Sequence, residues 1–412
     1  MEAFISTDKN LLIIGAGAEQ APAYKIAKEQ GIKTIATDSD HSAPSVTLAD
    51  YFINASTRDA EQTASMAKDF SKEIPIHGVM TIANDVPYTV SYTASELGLP
   101  SISNESAKIA SDKILMKKLF IDNNIPCPTY YEISKFEEFK QIIENNDKQK
   151  FVIKPNDGRG ARGVLIIDEE IDLNWAYKES TAWGDSGKLI LEEYVEGKQY
   201  STESFIIDGQ CFTPAIAERN YSRLNQFKPY IIEDGGDIPS DLNESQLQKI
   251  DRLILDSASA IGIEEGIIKG DIVIDNLGNI KIIEIAARLS GGWFATHQVP
   301  VASGVNLVEI VMRHSLSLPI NRSDLRPKLN NATSIRYWFP NEGLIKEISG
   351  IDVLKETPGL VKYGFFRGKG EIQPPIRMHP DRFGYVIVSG KDREEAEHFC
   401  QMALDSITIE VE

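Results

Sequence analysis

Residues 270–292 read GDIVIDNLGNIKIIEIAARLSGG, two apolar runs of strand length joined through a Leu-Gly pair. Short isoleucine- and valine-rich runs flanking a glycine are a β-hairpin signature. A two-residue turn at Leu277-Gly278 would set Asp271 directly opposite Glu284, and cross-strand neighbours approach within contact distance. On IKIIEIA, alternation places Ile280, Ile282, Glu284 and Ala286 on one face. Two carboxylates so placed repel unless a cation lies between them. One or two carboxylates, completed by phosphate and water, describe a Mg²⁺ site, with Mn²⁺ as a substitute. Incidental acids on a solvated hairpin would give the same letters, but Glu284 stands among isoleucines and alanines, which favours the metal. Arg288 follows on the strand exit, leading into Ser290-Gly291-Gly292. Its guanidinium either clamps a transferring group or forms an ion pair with Asp271 or Glu284.

A second segment, FVIKPNDGRGARGVLII, reads as two strands joined by a glycine-rich loop. Lys154 ends the first strand, and Gly158, Gly160 and Gly163 punctuate a loop that also carries Arg162. Glycines let backbone N–H groups approach phosphate oxygens, and a nearby ammonium neutralises them. No Gly-Lys-Ser/Thr follows and the loop returns as a strand, so this is not a Walker loop. A flexible hairpin with an exposed lysine is the alternative. Further on, KLILEEYV and YSTESFIIDG look like another strand pair. Glu192, Glu193 and Val195 fall where backbone groups could read an adenine edge, and Gln199, Ser201 and Glu203 would share a face. Plain surface alternation explains that face equally well. In AERNYSRLNQFKPY, Arg219, Arg223 and Lys228 are basic residues in an acidic chain, and Arg219 is the candidate partner of a substrate carboxylate.

The chain opens with a βαβ pattern: LLII, a Gly15-Ala16-Gly17 turn, a helical stretch and KTIATD. GAGAEQ imitates a dinucleotide fingerprint with Asp38 at the ribose position, but Gln20 replaces the third glycine. A tight turn without a dinucleotide is the better reading, although the turn could hold part of a substrate. HGVMTIA is a later strand of an open, mostly parallel sheet. Ser111-Asp112 caps a helix over KILMKKLFIDNN, stopped by Pro126 and Pro128. Residues 244–262 read as an amphipathic helix, TSIRYWF and GYVIVSG as strands, and KDREEAEHFCQMALDSI as a final helix.

At 412 residues the chain exceeds one ordinary core. A net charge of −18 argues against a general nucleic-acid or membrane-surface binder, since both are polyanionic. Cys127, Cys211 and Cys400 are scattered and lack metal-ligand spacing, as expected of small buried residues in a reducing cytoplasm. MEAFISTDKN has no basic n-region, and no apolar run is long enough to span a bilayer.

In this order the segments resemble the ATP-grasp superfamily over nearly the whole chain. SDKILMKKLFIDNNIPCPTY matches the helix that the family opens with Asp-Lys, so Lys113 takes the first phosphate-binding lysine position and Lys154 the second. The resemblance makes 158–163 the lid over the phosphates and Glu192, Glu193 and Val195 the adenine hinge. It sets Gln199 beside the ribose, Asp271 and Glu284 on the metal, and Arg288 near the reacting phosphate. The family's further asparagine ligand is Ala286 here, and Asp271 stands for the commoner glutamate. The biotin carboxylase bicarbonate segment is absent, and SGGWFATHQ stands in its place. The chain is more similar to amino-acid ligases and related carboxylate–amine ligases.

The resemblance implies an α/β protein with four parts. These are a Rossmann-like pre-ATP-grasp domain over 1–110, a lid subdomain with its preceding helix over 111–200, a catalytic subdomain over 201–325 and a C-terminal α+β subdomain over 326–412. It implies a cytoplasmic ligase that uses ATP and magnesium to activate a carboxylate as an acyl phosphate and join it to an amine. Small-molecule substrates and a homodimer are expected. Lys154 and Arg288 are the catalytic candidates, and Glu203, Arg219, Arg288, Ser290 and Gly291 the substrate-binding ones. Two alternatives are a bicarbonate-activating enzyme working through carboxyphosphate and a nucleotide-binding module without catalysis.

Overall fold

The strand Asn10–Ile14 is buried along its whole length. Leu11 and Ile13 pack into one core and Leu12 and Ile14 into another, so both faces of the strand are covered. That is the demand on a central parallel strand, and it explains why LLII is a continuous apolar run. In the computed structural model, which describes residues 8–146 and 148–412, this strand lies between Lys33–Asp38 and Gly78–Met80. Tyr51–Asn54 completes the parallel sheet as its edge. The expectation about a targeting segment falls mainly on residues 1–7, outside the described residues. Among the described residues, no helix is long and apolar enough to cross a membrane.

A second sheet is antiparallel, with Tyr130–Ile133, Leu189–Glu193, Phe151–Pro155 and Leu165–Ile167 in spatial order. The expected strand pair of 188–195 with 200–209 does not form. Leu189–Glu193 belongs to this sheet, whereas Gly197–Ile207 lies between Gln210–Asn220 and Gly266–Asp275 in an eight-stranded sheet. The two strands serve different cores: Leu189 and Leu191 pack under the lid strands, and Tyr200 and Ile206 pack on the helix Glu244–Ala260. The turn between them, 194–196, is therefore a hinge between sheets.

Two of the expected subdomain edges fall within continuous structure. The edge at 200/201 cuts the strand Gly197–Ile207. The edge at 325/326 is bridged, because Gly235–Ile238 pairs with Ala332–Trp338 in the same sheet. Ala332–Trp338 in turn pairs with Gly384–Gly390, so the C-terminal segment extends the central sheet.

Two helices hold the frame. Lys113–Asp122 starts at Asp112, whose side chain accepts from the Leu115 N–H. Glu244–Ala260 starts with a capping box in which Asn243 and Gln246 each accept from the other's N–H. Its Ile250, Ile254 and Ala258 are fully buried against Ile268, Ile272, Ile282 and Ile285. Burying each isoleucine is worth about 1.5–3 kcal/mol.

The opening hairpin forms between Gly266–Asp275 and Ile280–Ala286, with a different turn from the one expected. Gly278 N donates to Asp275 O and Asp275 N to Asn279 O, so residues 276–278 close a three-residue turn, with Gly278 at φ 85°. Ile272 consequently faces Ile282, one residue out of the expected register. A bulge that leaves Ile283 without an opposite number restores it, and Asp271 faces Glu284 after all. The same bulge reverses the alternation. Ile282 and Ile285 enter the core while Glu284 lines the cleft, so the expected shared face of Ile280, Ile282 and Glu284 is wrong.

Candidate active site

A cleft of about 960 Å³ opens between the sheets, lined from every part of the chain. On one wall Lys154, at the end of Phe151–Pro155, points its Nζ at Glu192 Oε2, 2.9 Å away. Lys113, the first residue of its helix, donates to the Gly158 carbonyl at 2.9 Å and lies 3.7 Å from Glu284 Oε2. Asn156 Oδ1 accepts from the Ile114 N–H, tying the root of the glycine loop to that helix. Gly158, Gly160 and Arg162 line the cleft, and Gly160 has φ +63°. Gly163 does not line it: a Cβ there would meet Ser180 backbone at 3.0 Å, so this glycine allows packing against the helix Leu173–Thr181.

The Glu192 carboxylate is buried between Lys154 and the fully buried Lys117, whose Nζ is 3.6 Å from Glu192 Oε1. The Glu193 carboxylate is taken by Lys281 and by the Thr129 N–H. Both side chains are committed inside the protein. Val195 and Gln199 line the cleft.

Across the cleft, Asp271 accepts from Ser201 Oγ at 2.9 Å, touches Lys269 Nζ and lies 3.5 Å from Arg219 Nη1. Burial alone would push this carboxyl up, but Lys269 and Arg219 hold it well below the usual range. Burial is likewise outweighed at Glu284, where Lys113 and Lys154 hold the carboxyl low. Both groups are thus ionised and face each other over one cleft. Among the described residues no group of three or more His, Cys, Asp or Glu forms a metal cluster. The pair therefore fits a hard cation such as Mg²⁺ that draws its remaining ligands from phosphates and water. Ala286, which offers no oxygen ligand, pairs with Lys269.

Arg288 pairs with neither of the carboxylates expected for it. Its partner is Asp85 from the N-terminal part, at 2.5 Å, with a further bond from Nη1 to the Leu289 carbonyl. Arg219 is held by Glu233, and both line the cleft with Ser290 and Gly291. Arg223 lies outside it and stacks on Phe339. The N-terminal glycine turn does reach the site: Glu19 Oε2 accepts from the Gly292 N–H at 2.8 Å. A Cβ at Gly291 would lie 2.5 Å from that oxygen.

Glu203 shares the face of Gln199 and Ser201 but is fully buried behind the wall, accepting from the Ser290 N–H at 2.8 Å. It is not placed to touch a substrate directly. Burial pushes its carboxyl up to about 7. The folded protein therefore keeps a proton that the unfolded chain loses near pH 4.5, and stability falls as pH rises from about 4.5 to about 7. Glu203→Gln is expected to remove that slope, gaining on the order of 3 kcal/mol over the parent at pH 8 and nothing at pH 4.5. Thermal midpoints of both proteins at the two pH values check this, and parallel slopes would refute it.

Sequence reasoning passed over Glu19, Asp85, Lys117, Glu233, Lys269, His379 and Arg382. Only Lys269 had a readable signal, because alternation on its strand puts it on the face of Asp271.

Comparison with known proteins agrees with this architecture. Residues 110–292 match an ATP-grasp domain, residues 11–94 a PylC-like N-terminal domain, and residues 336–412 the L-amino acid ligase C-terminal domain 2. A phosphoribosylamine–glycine ligase of Methanothermobacter thermautotrophicus is 28% identical over 335 residues, 75% of this chain and 74% of that protein. A formate-dependent phosphoribosylglycinamide formyltransferase of Sulfurisphaera tokodaii is 23% identical over 97% of each chain. In fold, the crystal structure of an L-amino acid ligase from Bacillus licheniformis superposes with a TM-score of 0.82 at 20% identity, covering 98% of this chain and 99% of that one.

Proposed function

Because this chain is an ATP-grasp protein, with its ATP-grasp domain set between a PylC-like and an L-amino acid ligase-type domain, we propose that it is an ATP-dependent carboxylate–amine ligase. The observation that carries this reading is the convergence of Lys113, Lys154, Asp271, Glu284 and Arg288 on one cleft. The names of its relatives, ligases that join an acid to an amine among them, support the reaction class.

In the proposed reaction a carboxylate oxygen attacks the γ-phosphorus of ATP, the bond to the bridging oxygen breaks, and ADP leaves. The acyl phosphate then meets an amine; the C–N bond forms and phosphate departs. Lys113, Lys154 and the lid amides hold the phosphates, and the hinge backbone receives the adenine. Arg288, oriented by Asp85, neutralises charge on the transferring phosphoryl group. Asp271 and Glu284 would hold Mg²⁺, which supplies charge neutralisation on the β- and γ-phosphates. No protein nucleophile is needed, since positioning and electrostatics do the catalysis in phosphoryl transfer. The lid excludes water that would hydrolyse the acyl phosphate. We place the reaction in the cytoplasm, where ATP is supplied.

A phosphate-release screen of amino acids, singly and in pairs, tests this. Release above the blank that requires ATP, a divalent cation, an acid and an amine is expected. Release driven by bicarbonate alone would favour carboxyphosphate chemistry, and magnesium-dependent ATP binding without any turnover would leave a binding module.

A further inference from the structure

Behind the wall that carries Lys154 stands a lysine that the chemistry above does not use. Lys113 and Lys117 are four residues apart on one helix and lie on the same side of it. Lys113 reaches the cleft, whereas Lys117 is 1% exposed and lies behind the cleft lining. Its Nζ is 3.6 Å from Glu192 Oε1 and donates to the Ile282 carbonyl at 3.4 Å. Lys154 takes the other oxygen of the same carboxylate, Oε2, at 2.9 Å. Val152 faces Glu192 across the strand pair, so Lys154, two residues on, projects from the same face of the sheet. Glu192 Oε1 is buried and accepts no hydrogen bond, and Lys117 stands just beyond bonding reach of it.

Burying an ion pair rarely adds stability over an apolar pair of the same volume, so Lys117 calls for a use besides packing. The carboxylates whose fields reach Lys154 are Glu192, Glu284 and Asp271. Asp271 and Glu284 line the cleft, where Lys113, Lys269 and Arg219 share their charge. Glu192 is 3% exposed, and among the described residues its ion pairs are with Lys117 and Lys154 alone. A Lys154–Glu192 pair by itself would be neutral and would attract phosphates weakly. With Lys117 the group holds two cations and one anion, and the surplus positive charge falls on the cleft side, where Lys154 stands.

We propose that Lys117 is a positioning residue for nucleotide binding: it takes up the Glu192 charge from behind and so leaves Lys154 to the phosphates. As phosphate oxygens draw Lys154 forward, the Glu192 carboxylate turns onto Lys117, and its uncommitted Oε1 makes the new bond. This deepens the nucleotide half of the ligase reading and rests on it.

Calorimetric titration with ATP and magnesium tests this without any turnover. Lys117→Met should raise Kd for ATP about tenfold or more, since it leaves Lys154 in a neutral pair and a unit charge inside a protein is worth at least that at short range. Lys117→Gln, which keeps a donor for the Ile282 carbonyl, should lose affinity equally and carries the test where the methionine variant does not fold. The double variant Lys117→Met with Glu192→Gln removes cation and anion together, and should bind ATP within about threefold of the parent. A role in packing alone would move the thermal midpoint and not the affinity of the folded variants. The proposal is overturned if a folded single variant keeps the affinity of the parent, or if the double variant binds no better than the single ones. If the parent protein binds no ATP with magnesium, the nucleotide reading itself fails, and the role of Lys117 with it.

Discussion

Glu284→Gln is expected to lower ATP turnover by about 10³-fold or more, close to 4 kcal/mol of transition-state stabilisation, with little change in fold. The substitution keeps the shape of the side chain and removes one charge. That charge faces Asp271 across the hairpin and lies 3.7 Å from Lys113, and its field helps keep Lys154 protonated. Its loss leaves Asp271 as the one carboxylate of the pair and weakens the hold on a divalent cation. Lys154→Met is expected to fall as far from the other side, by removing the ammonium at the mouth of the glycine loop. Steady-state phosphate release with the pair of substrates found in the screen reads both. Full turnover in either variant would mean that the cleft is assigned to the wrong chemistry.

Glu192→Ala is expected to destabilise the protein by about 3–5 kcal/mol, the range for stranding a buried charge. Glu192 is 3% exposed and stands between two lysines, Lys117 at 3.6 Å and Lys154 at 2.9 Å. Burial holds the Lys117 ammonium below its ordinary range, and Glu192 is the largest influence opposing that. Without it Lys117 sheds its proton at lower pH. The folded state of the variant then binds fewer protons than its unfolded chain, so part of the deficit should return as the pH rises through the alkaline range below the ordinary lysine value. Denaturation of parent and variant across that range checks this, and a deficit that stays constant would show that Lys117 is not the stranded charge. The double variant Glu192→Leu with Lys117→Met should recover more stability than Glu192→Leu alone, since an apolar pair of similar volume avoids desolvating ions.

These expectations show which parts of the molecule were legible in the amino acids. The opening parallel strand, the helix capped by Asp112, the glycine loop returning as a strand and the Asp271–Glu284 pairing all follow from local rules: apolar runs, caps and turn residues. The hairpin is instructive because its expected pairing holds for a different reason. A three-residue turn and a bulge each shift the register by one and cancel, which leaves the pair intact and changes which face it points to. The sequence marks Glu192 and Glu193 as a strand end whose backbone could border a nucleotide, but not that their carboxylates are held by lysines distant in sequence. Lys117 gave no sign of burial, since a lysine in a helical stretch is ordinarily solvated.

What the sequence determined by itself is which charged residues meet on the lysine and carboxylate side of the cleft. Lys113 and Lys154 sit at ends of elements, Asp271 and Glu284 face each other across a hairpin, and Arg288 follows its second strand, placements that capping, alternation and glycine spacing identify. What only the tertiary structure decided is which groups balance those charges and what closes the other side. Asp85 on Arg288, Lys117 under Glu192, Glu19 on Gly292, and His379 with Arg382 facing the lid come from segments far apart in the chain. The physical reason is that local rules act over a few residues. Coulomb forces and desolvation act through space, and they sum only once the sheets have met.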